Sequence, residues 1–315
     1  MKVFEEICKM TQAEVKEYME KYFSDNNYDV ANEDGYLYAE PKYDRVPVLL
    51  VAHMDTVHQK QCVEIINENG KLSSPQGIGG DDRCGIYMIM NVVKELRCPV
   101  LLTEDEERGG IGARKFTQSE YINDLDVNYM IEFDRKGCCD AVYYSCDNKD
   151  FKDFVKETTG MKEAMGTYSD ISTLMPAAKI AAVNFSCGYY NAHTVSEYVV
   201  FDEMEDVISA AKNMIKEPCE KPFEYVAKVW NHYGYKSKAD NGRQMSLFDD
   251  YEINNDYGFS NRYDTELELE VLWDDKNNEE HIALCYGKTK ADCWFDFFMD
   301  HPEVCFEMVT HYSWN

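Results

Sequence analysis

The sequence has no apolar run near the ~20 residues needed to span a bilayer. Its N-terminus also lacks the short hydrophobic stretch of a secretory signal. A soluble, unsecreted protein with no membrane association is expected. Its 12 cysteines contain no CxxC pair, which argues against a cysteine-built zinc site. In a chain with no export signal they read as reduced thiols of the cytoplasm. Positive charge is scarce, with 32 Lys and Arg against 59 Asp and Glu and a net charge of −27. Phosphate backbones would be repelled, so direct nucleic-acid binding is not expected. No internal repeat is visible. What remains is a chain of 315 residues, 44% hydrophobic, enough to build one large domain or a large one with a smaller companion.

Thr11 and Glu14 have capping-box spacing, and Val15, Tyr18, Met19, Tyr22 and Phe23 follow at helical intervals. "GYLYAE" reads as a short strand. Four later segments share a pattern: "VPVLLVA" runs into His53, "CPVLLT" into Glu104 to Glu107, "NYMIEF" into Asp134, and "IAAVNFSCG" towards His193. Each is a short apolar run of the kind found in strands covered on both faces. Helical stretches lie between or around them, in "DDRCGIYMIMNVVKEL", "NKDFKDFVKETT" and "DEMEDVISAAKNMIKE". The alternation predicts an α/β domain over residues 1–216, three-layered, with helices on both faces of a mostly parallel but mixed sheet. Residues 217–264 read as a linker, polar and rich in Asn, Asp, Gly and Tyr over most of its length. Residues 265–315 read as a small α+β appendage, in which "EHIALCYG" could pair with "TELELEVLW" and "ADCWFDFFMDH" is a helix.

In open α/β sheets ligands bind beyond the carboxyl ends of the strands. The residues just past those ends are His53 and Asp55, Glu106 and Glu107, Asp134, and His193; "GIGGDDRCG" adds Asp81 and Asp82 where a glycine-rich turn enters a helix. Singly, each has a plain explanation: a satisfied polar residue, a solvated glutamate pair, a turn. Together, so many carboxylates on one rim would repel one another unless positive charge sat among them. A pair of divalent cations would resolve that repulsion.

These residues, in this order, resemble the co-catalytic dinuclear zinc exopeptidases, including the peptidase T-like, glutamyl aminopeptidase-like and related carboxypeptidase families. The resemblance rests on "AHMDTV", "GIGGDDRCGI", "TEDEERGGIGA", "IEFDR" and "NAHTVSEYV", over roughly residues 52 to 199. It implies that His53 and Asp134 hold one metal, Glu107 and His193 the other, and that Asp81 bridges both. It implies that Asp55 orients the His53 ring and that Glu106 is the general base. Two ions ~3.5–4 Å apart would acidify a shared water and polarise the scissile carbonyl of a peptide or amide substrate. The mixed donors suit Zn²⁺, with Co²⁺ or Mn²⁺ as substitutes. The implied activity is that of an aminopeptidase; a deacylase or dipeptidase, or a metal-binding adaptor, are the alternatives. Retention of Glu106 speaks against the adaptor.

Many relatives carry an inserted lid or oligomerisation domain. Only 27 residues separate His53 from Asp81, and 58 separate Asp134 from His193. Neither gap holds such a domain, so an open cleft is expected. His58 has no counterpart and reads as a surface residue, and Asp82 as a helix-start residue that favours the dipole. "SDISTL", Ser169 to Leu174, resembles a segment near the substrate in the aminopeptidase branch. "QMSLF", Gln244 to Phe248, resembles the peptide by which bacterial replication and repair proteins dock on the sliding clamp. Packing of Leu247 and Phe248 on the chain itself is the favoured reading.

Overall fold

The computed structural model describes residues 1–58, 60–219, 221–228, 267–274, 280–287 and 309–314. The chain divides into two compact units, Met1–Gly234 and Tyr235–Asn315. In the first unit the helices are α1 (Lys2–Cys8), α2 (Gln12–Asp25), α3 (Gly80–Val93), α4 (Ile111–Thr117), α5 (Lys149–Thr159), α6 (Asp170–Ala178) and α7 (Phe201–Lys216). The strands up to the first helix-rich region are β1 (Tyr28–Glu33), β2 (Tyr36–Pro41), β3 (Val48–His53), β4 (Ile66–Glu68) and β5 (Lys71–Ser73). They are followed by β6 (Val100–Thr103), β7 (Tyr129–Arg135), β8 (Asp140–Val142) and β9 (Lys162–Ala164). The last three are β10 (Ala182–Ser186), β11 (Tyr189–Tyr190) and β12 (Tyr198–Val200).

Eight strands form the central sheet in the order β1-β2-β6-β3-β7-β10-β8-β9. The four apolar runs read from the sequence are its middle, β6, β3, β7 and β10, all parallel. Antiparallel β1, β2 and β8 flank them, so the sheet is mixed. These strands can be continuously apolar because helices cover both faces. Leu49, Leu50 and Val51 are fully buried, each burial contributing ~1.5–3 kcal/mol. On one side α3 lies against β3 and β7, flanked by α1 and α7; elsewhere α6 lies against β10, and α4 against β2 and β6. The α/β three-layer architecture is as expected. The capping box at Thr11 and Glu14 is formed, with both reciprocal hydrogen bonds.

Several elements had no sequence signal. Strands β11, β12, β5 and β4 make a separate small sheet, and none exceeds three residues, too short for alternation to register. Beyond residue 216 the chain stays with the first unit: Phe223 N donates to Asn128 O, Ala181 N to Phe223 O, and the Phe223 ring packs among Tyr129, Phe151 and Phe154.

In the second unit β13 (Leu267–Asp274) pairs antiparallel with both β14 (Glu280–Gly287) and β15 (Val309–Trp314). The pairing of "EHIALCYG" with "TELELEVLW" is therefore present. The helix expected at "ADCWFDFFMDH" and the Gln244–Phe248 peptide lie outside the described residues. Among the described residues no helix is long and apolar enough to cross a membrane.

Gly85 shows how closely α3 approaches the sheet. A Cβ there would stand 2.1 Å from Phe133 O and 2.5 Å from both Asp82 carboxylate oxygens. Backbone cannot yield as a side-chain tip can, so Gly85→Ala should cost about 3 kcal/mol, the upper end for overpacking. The urea midpoint measures this, and an unchanged midpoint would mean α3 slides freely on β7.

Candidate metal centre

The parallel strands deliver their C-terminal ends to one rim. β3 has β6 on one side and β7 on the other, so the chain leaves it in one direction and later returns in the other. That reversal opens a crevice above the strand ends. His53 closes β3; Glu106 and Glu107 form a 3₁₀ turn shortly after β6; Asp134 lies near the end of β7. His193 follows β11 in a loop, with φ +63°. A left-handed conformation is costly for a residue with a side chain and persists where surrounding structure holds it. Asp81 and Asp82 lie at the start of α3 with non-helical backbone, joined by a cis peptide bond.

Two donor sets result. His53 Nε2 lies 3.0 Å from Asp81 Oδ1 and 3.4 Å from Asp134 Oδ1. His193 Nε2 lies 3.2 Å from Asp81 Oδ2 and 3.0 Å from Glu107 Oε1. Asp81 thus offers one oxygen to each set. Within each set the atoms lie within 4.8 Å of one another, and His53, Glu106 and Glu107 form a third such group. The structure brings together the seven residues to which the resemblance assigns a role: His53, Asp55, Asp81, Glu106, Glu107, Asp134 and His193.

The cluster is electrostatically frustrated in its bare form. Burial, then the charge of Asp81, pushes the Asp134 carboxyl up to about 7. Burial, together with Asp134, Asp170 and Glu107, raises Glu106 well above the carboxylate range. Hydrogen bonds to Asp81 and Glu107 raise His193 to about 11. Burial opposes the charged His53 ring, but hydrogen bonds to Asp134, Asp55 and Asp81 outweigh it and hold the ring well above its usual range. Glu107 Oε1 is buried, and the polar atom it faces is His193 Nε2, 3.0 Å away. Carboxyls forced towards neutrality by burial and by one another, set around two imidazoles, form a donor set whose repulsion a cation would relieve. The residues fit a pair of divalent ions.

The supporting groups are more extensive than the sequence suggested. Asp55 Oδ1 meets His53 Nδ1 at 3.1 Å and accepts from Glu106 N at 3.0 Å, while Oδ2 accepts from Glu107 N at 3.1 Å. One carboxylate therefore fixes both the ring and the glutamate turn. Burial opposes its charge, yet these bonds keep Asp55 below its ordinary value. Asp82 is fully buried; it accepts from Gly85 N at 2.8 Å as a helix cap and from His53 N at 3.1 Å. Burial raises its carboxyl well above the usual range, so its contribution is the pair of hydrogen bonds rather than charge near the dipole.

His58 corrects the expectation of a surface residue. Its side chain is 8% exposed and its Nε2 lies 2.9 Å from Glu197 Oε2. Glu197 also accepts from Gly79 N at 2.9 Å and from Asp81 N at 3.0 Å, anchoring the turn that carries Asp81. Arg83, fully buried on α3, donates to the carbonyls of Met54, Asp55 and Met10. No spacing rule marks either residue. "SDISTL" forms the start of α6: Ser169 Oγ donates to buried Glu132, and Asp170 Oδ2 accepts from Thr103 Oγ1 at the end of β6. Burial pushes Asp170 up to about 6.

No family model and no curated protein matches this sequence. Solved structures do match. The aminopeptidase PepT from Bacillus cereus superposes with a TM-score of 0.57 at 14% identity, over 68% of this chain and 96% of that one. A tripeptidase from Staphylococcus aureus gives the same figures. An aminopeptidase from the archaeon Desulfurococcus kamchatkensis gives 0.52 at 13% identity, over 69% of this chain and 94% of that one. Likeness at these identities establishes a shared fold.

Proposed function

We propose that this chain is a dinuclear metal-dependent exopeptidase, acting as an aminopeptidase on peptide amides. The observation that carries the reading is the placement of Asp81 between two His-carboxylate sets, with Glu106 beside them. The shared fold with peptidases is consistent with it. His53, Asp81 and Asp134 would hold one ion, and Asp81, Glu107 and His193 the other; mixed imidazole and carboxylate donors suit Zn²⁺. Bound ions would polarise the scissile carbonyl and make a water acidic enough to deprotonate near neutral pH.

The chain's own groups do the rest. Glu106 accepts the proton of the attacking water and returns it to the leaving amine. Its raised proton affinity is appropriate to a base that must later act as an acid. Asp55 keeps the His53 ring in one orientation and holds the Glu106 and Glu107 amides, so the base cannot swing away from the donors.

The test is hydrolysis by metal-loaded protein of a panel of free-amine peptides, N-acetylated peptides and acyl amides. Cleavage of free-amine peptides only is expected. Cleavage restricted to N-acylated substrates would replace the reading with a deacylase.

Protons compete with metal here. In the bare cluster, hydrogen bonds to the neighbouring carboxylates favour the protonated form of His53 and raise His193 to about 11. Adding Zn²⁺ to chelator-treated protein in weak buffer should therefore acidify the solution. The raised histidines stabilise the bare fold fully below about pH 6.5, and for His193 this contribution is lost as pH rises through about 11. Metal binding strengthens over the same interval. The melting-temperature gap between loaded and stripped protein should thus widen from about pH 6 to about pH 9. A constant gap without proton release would count against these ligands.

A further inference from the structure

Cys138 and Cys139 are adjacent in the turn between β7 and β8, just beyond Asp134. Their sulfurs lie 2.7 Å apart. Cys139 is exposed and Cys138 partly so, whereas Cys8, Cys62, Cys84, Cys98, Cys146 and Cys187 are buried. The turn is tied to the rim by its backbone. Gly137 N donates to Tyr189 O at 2.8 Å, and Gly188 N donates to Gly137 O at 2.7 Å. Tyr189 in turn donates its hydroxyl to Asp134 O at 2.9 Å. Lys162 N donates to Cys139 O at 2.9 Å. Gly137, at φ +84°, takes a conformation that glycine adopts without strain.

We propose that Cys138 and Cys139 form a reversible redox site, in which exchange with a low-molecular-weight disulfide closes a vicinal disulfide and Gly137 and Tyr189 transmit the closure to Asp134. The Cys138 thiolate attacks one sulfur of the small disulfide, forming a mixed disulfide and expelling one thiol. Cys139 loses its proton and displaces the second thiol from Cys138. Two protein thiols become one disulfide, and one small disulfide becomes two thiols. The hydrogen bond to Cys138, then burial, holds the Cys139 thiol up to about 11; capping Cys138 removes the first cause. Neighbouring Cα atoms are ~3.8 Å apart, below the ~4.4–6.8 Å span of ordinary disulfides. The ring is strained and easily reduced, which suits a sensor rather than a staple. Closure does not depend on the peptidase reading; only its consequence for metal retention does.

The experiment equilibrates the native full-length chain in defined ratios of oxidised to reduced glutathione, then alkylates, digests with trypsin and weighs the 137–149 peptide. In oxidising buffer the expected peptide has lost two hydrogens, resists alkylation at two of its three cysteines, and reverts with dithiothreitol. Cys138→Ser and Cys139→Ser should abolish that species while melting normally. Zinc retained after gel filtration should fall on oxidation in the native chain but not in Cys138→Ser. A peptide that stays reduced, or stops at the glutathione adduct, would overturn the proposal. Closure with unchanged zinc retention would overturn the link to Asp134.

Discussion

Glu106→Gln should keep its metal and lose about 10²–10⁴ in kcat, the span associated with removing a general base. The amide is nearly the same size as the carboxylate, and the Glu106 backbone amide would still be held by Asp55. None of the proposed ligands is touched. The substitution also removes a carboxyl that burial, Asp134, Asp170 and Glu107 already push towards neutrality. The stripped variant should therefore be no less stable than the stripped native protein at neutral pH. Metal content by emission spectroscopy, melting temperature and peptide hydrolysis separate these effects. Hydrolysis within about tenfold of the native rate would remove Glu106 from the reaction.

Glu197→Ala should be the most damaging change among residues that are not proposed ligands. The Glu197 side chain is fully buried, and it holds the His58 ring and the amides of Gly79 and Asp81. Its loss leaves a buried imidazole and two buried amides without an acceptor, each unsatisfied group costing about 1–3 kcal/mol. The turn carrying Asp81 would lose its anchor, so metal retention should fall as well. Glu197→Gln keeps one acceptor oxygen and should lie between the two. Urea unfolding and the zinc-to-protein ratio after gel filtration measure both. A variant that unfolds easily yet retains zinc as tightly as the native chain would show that Glu197 supports the fold alone.

The two glutamates also differ in how far the sequence disclosed them. Glu106 is visible because a buried apolar strand ends shortly before it, and a polar group at such a strand exit invites explanation. His53, Asp134 and the four parallel strands were legible for the same reason. Glu197 satisfies backbone amides and a histidine 139 positions away in the chain. A contact of that separation leaves no periodicity behind. His58 reads as a surface residue because nothing in the sequence points to its partner, Glu197. Arg83 was hidden similarly: nothing in "GGDDRCG" reveals that the guanidinium turns inward to three carbonyls. The short strands β4, β5, β11 and β12 escaped because two or three residues cannot display an alternation.

The two histidines sit in unlike surroundings. The His53 side chain is 2% exposed at the end of a central strand, while that of His193 is 44% exposed on a loop. If the proposed ions are bound, the one at His53 would rest on a ligand fixed at a buried strand end. One on the His193 side needs only a loop to swing, and loop motions are far faster than core rearrangements. Under the proposed two-ion reading, the ion at His193 would exchange faster than the one at His53. Under the same reading, metal identity at the second position would follow supply more closely than at the first.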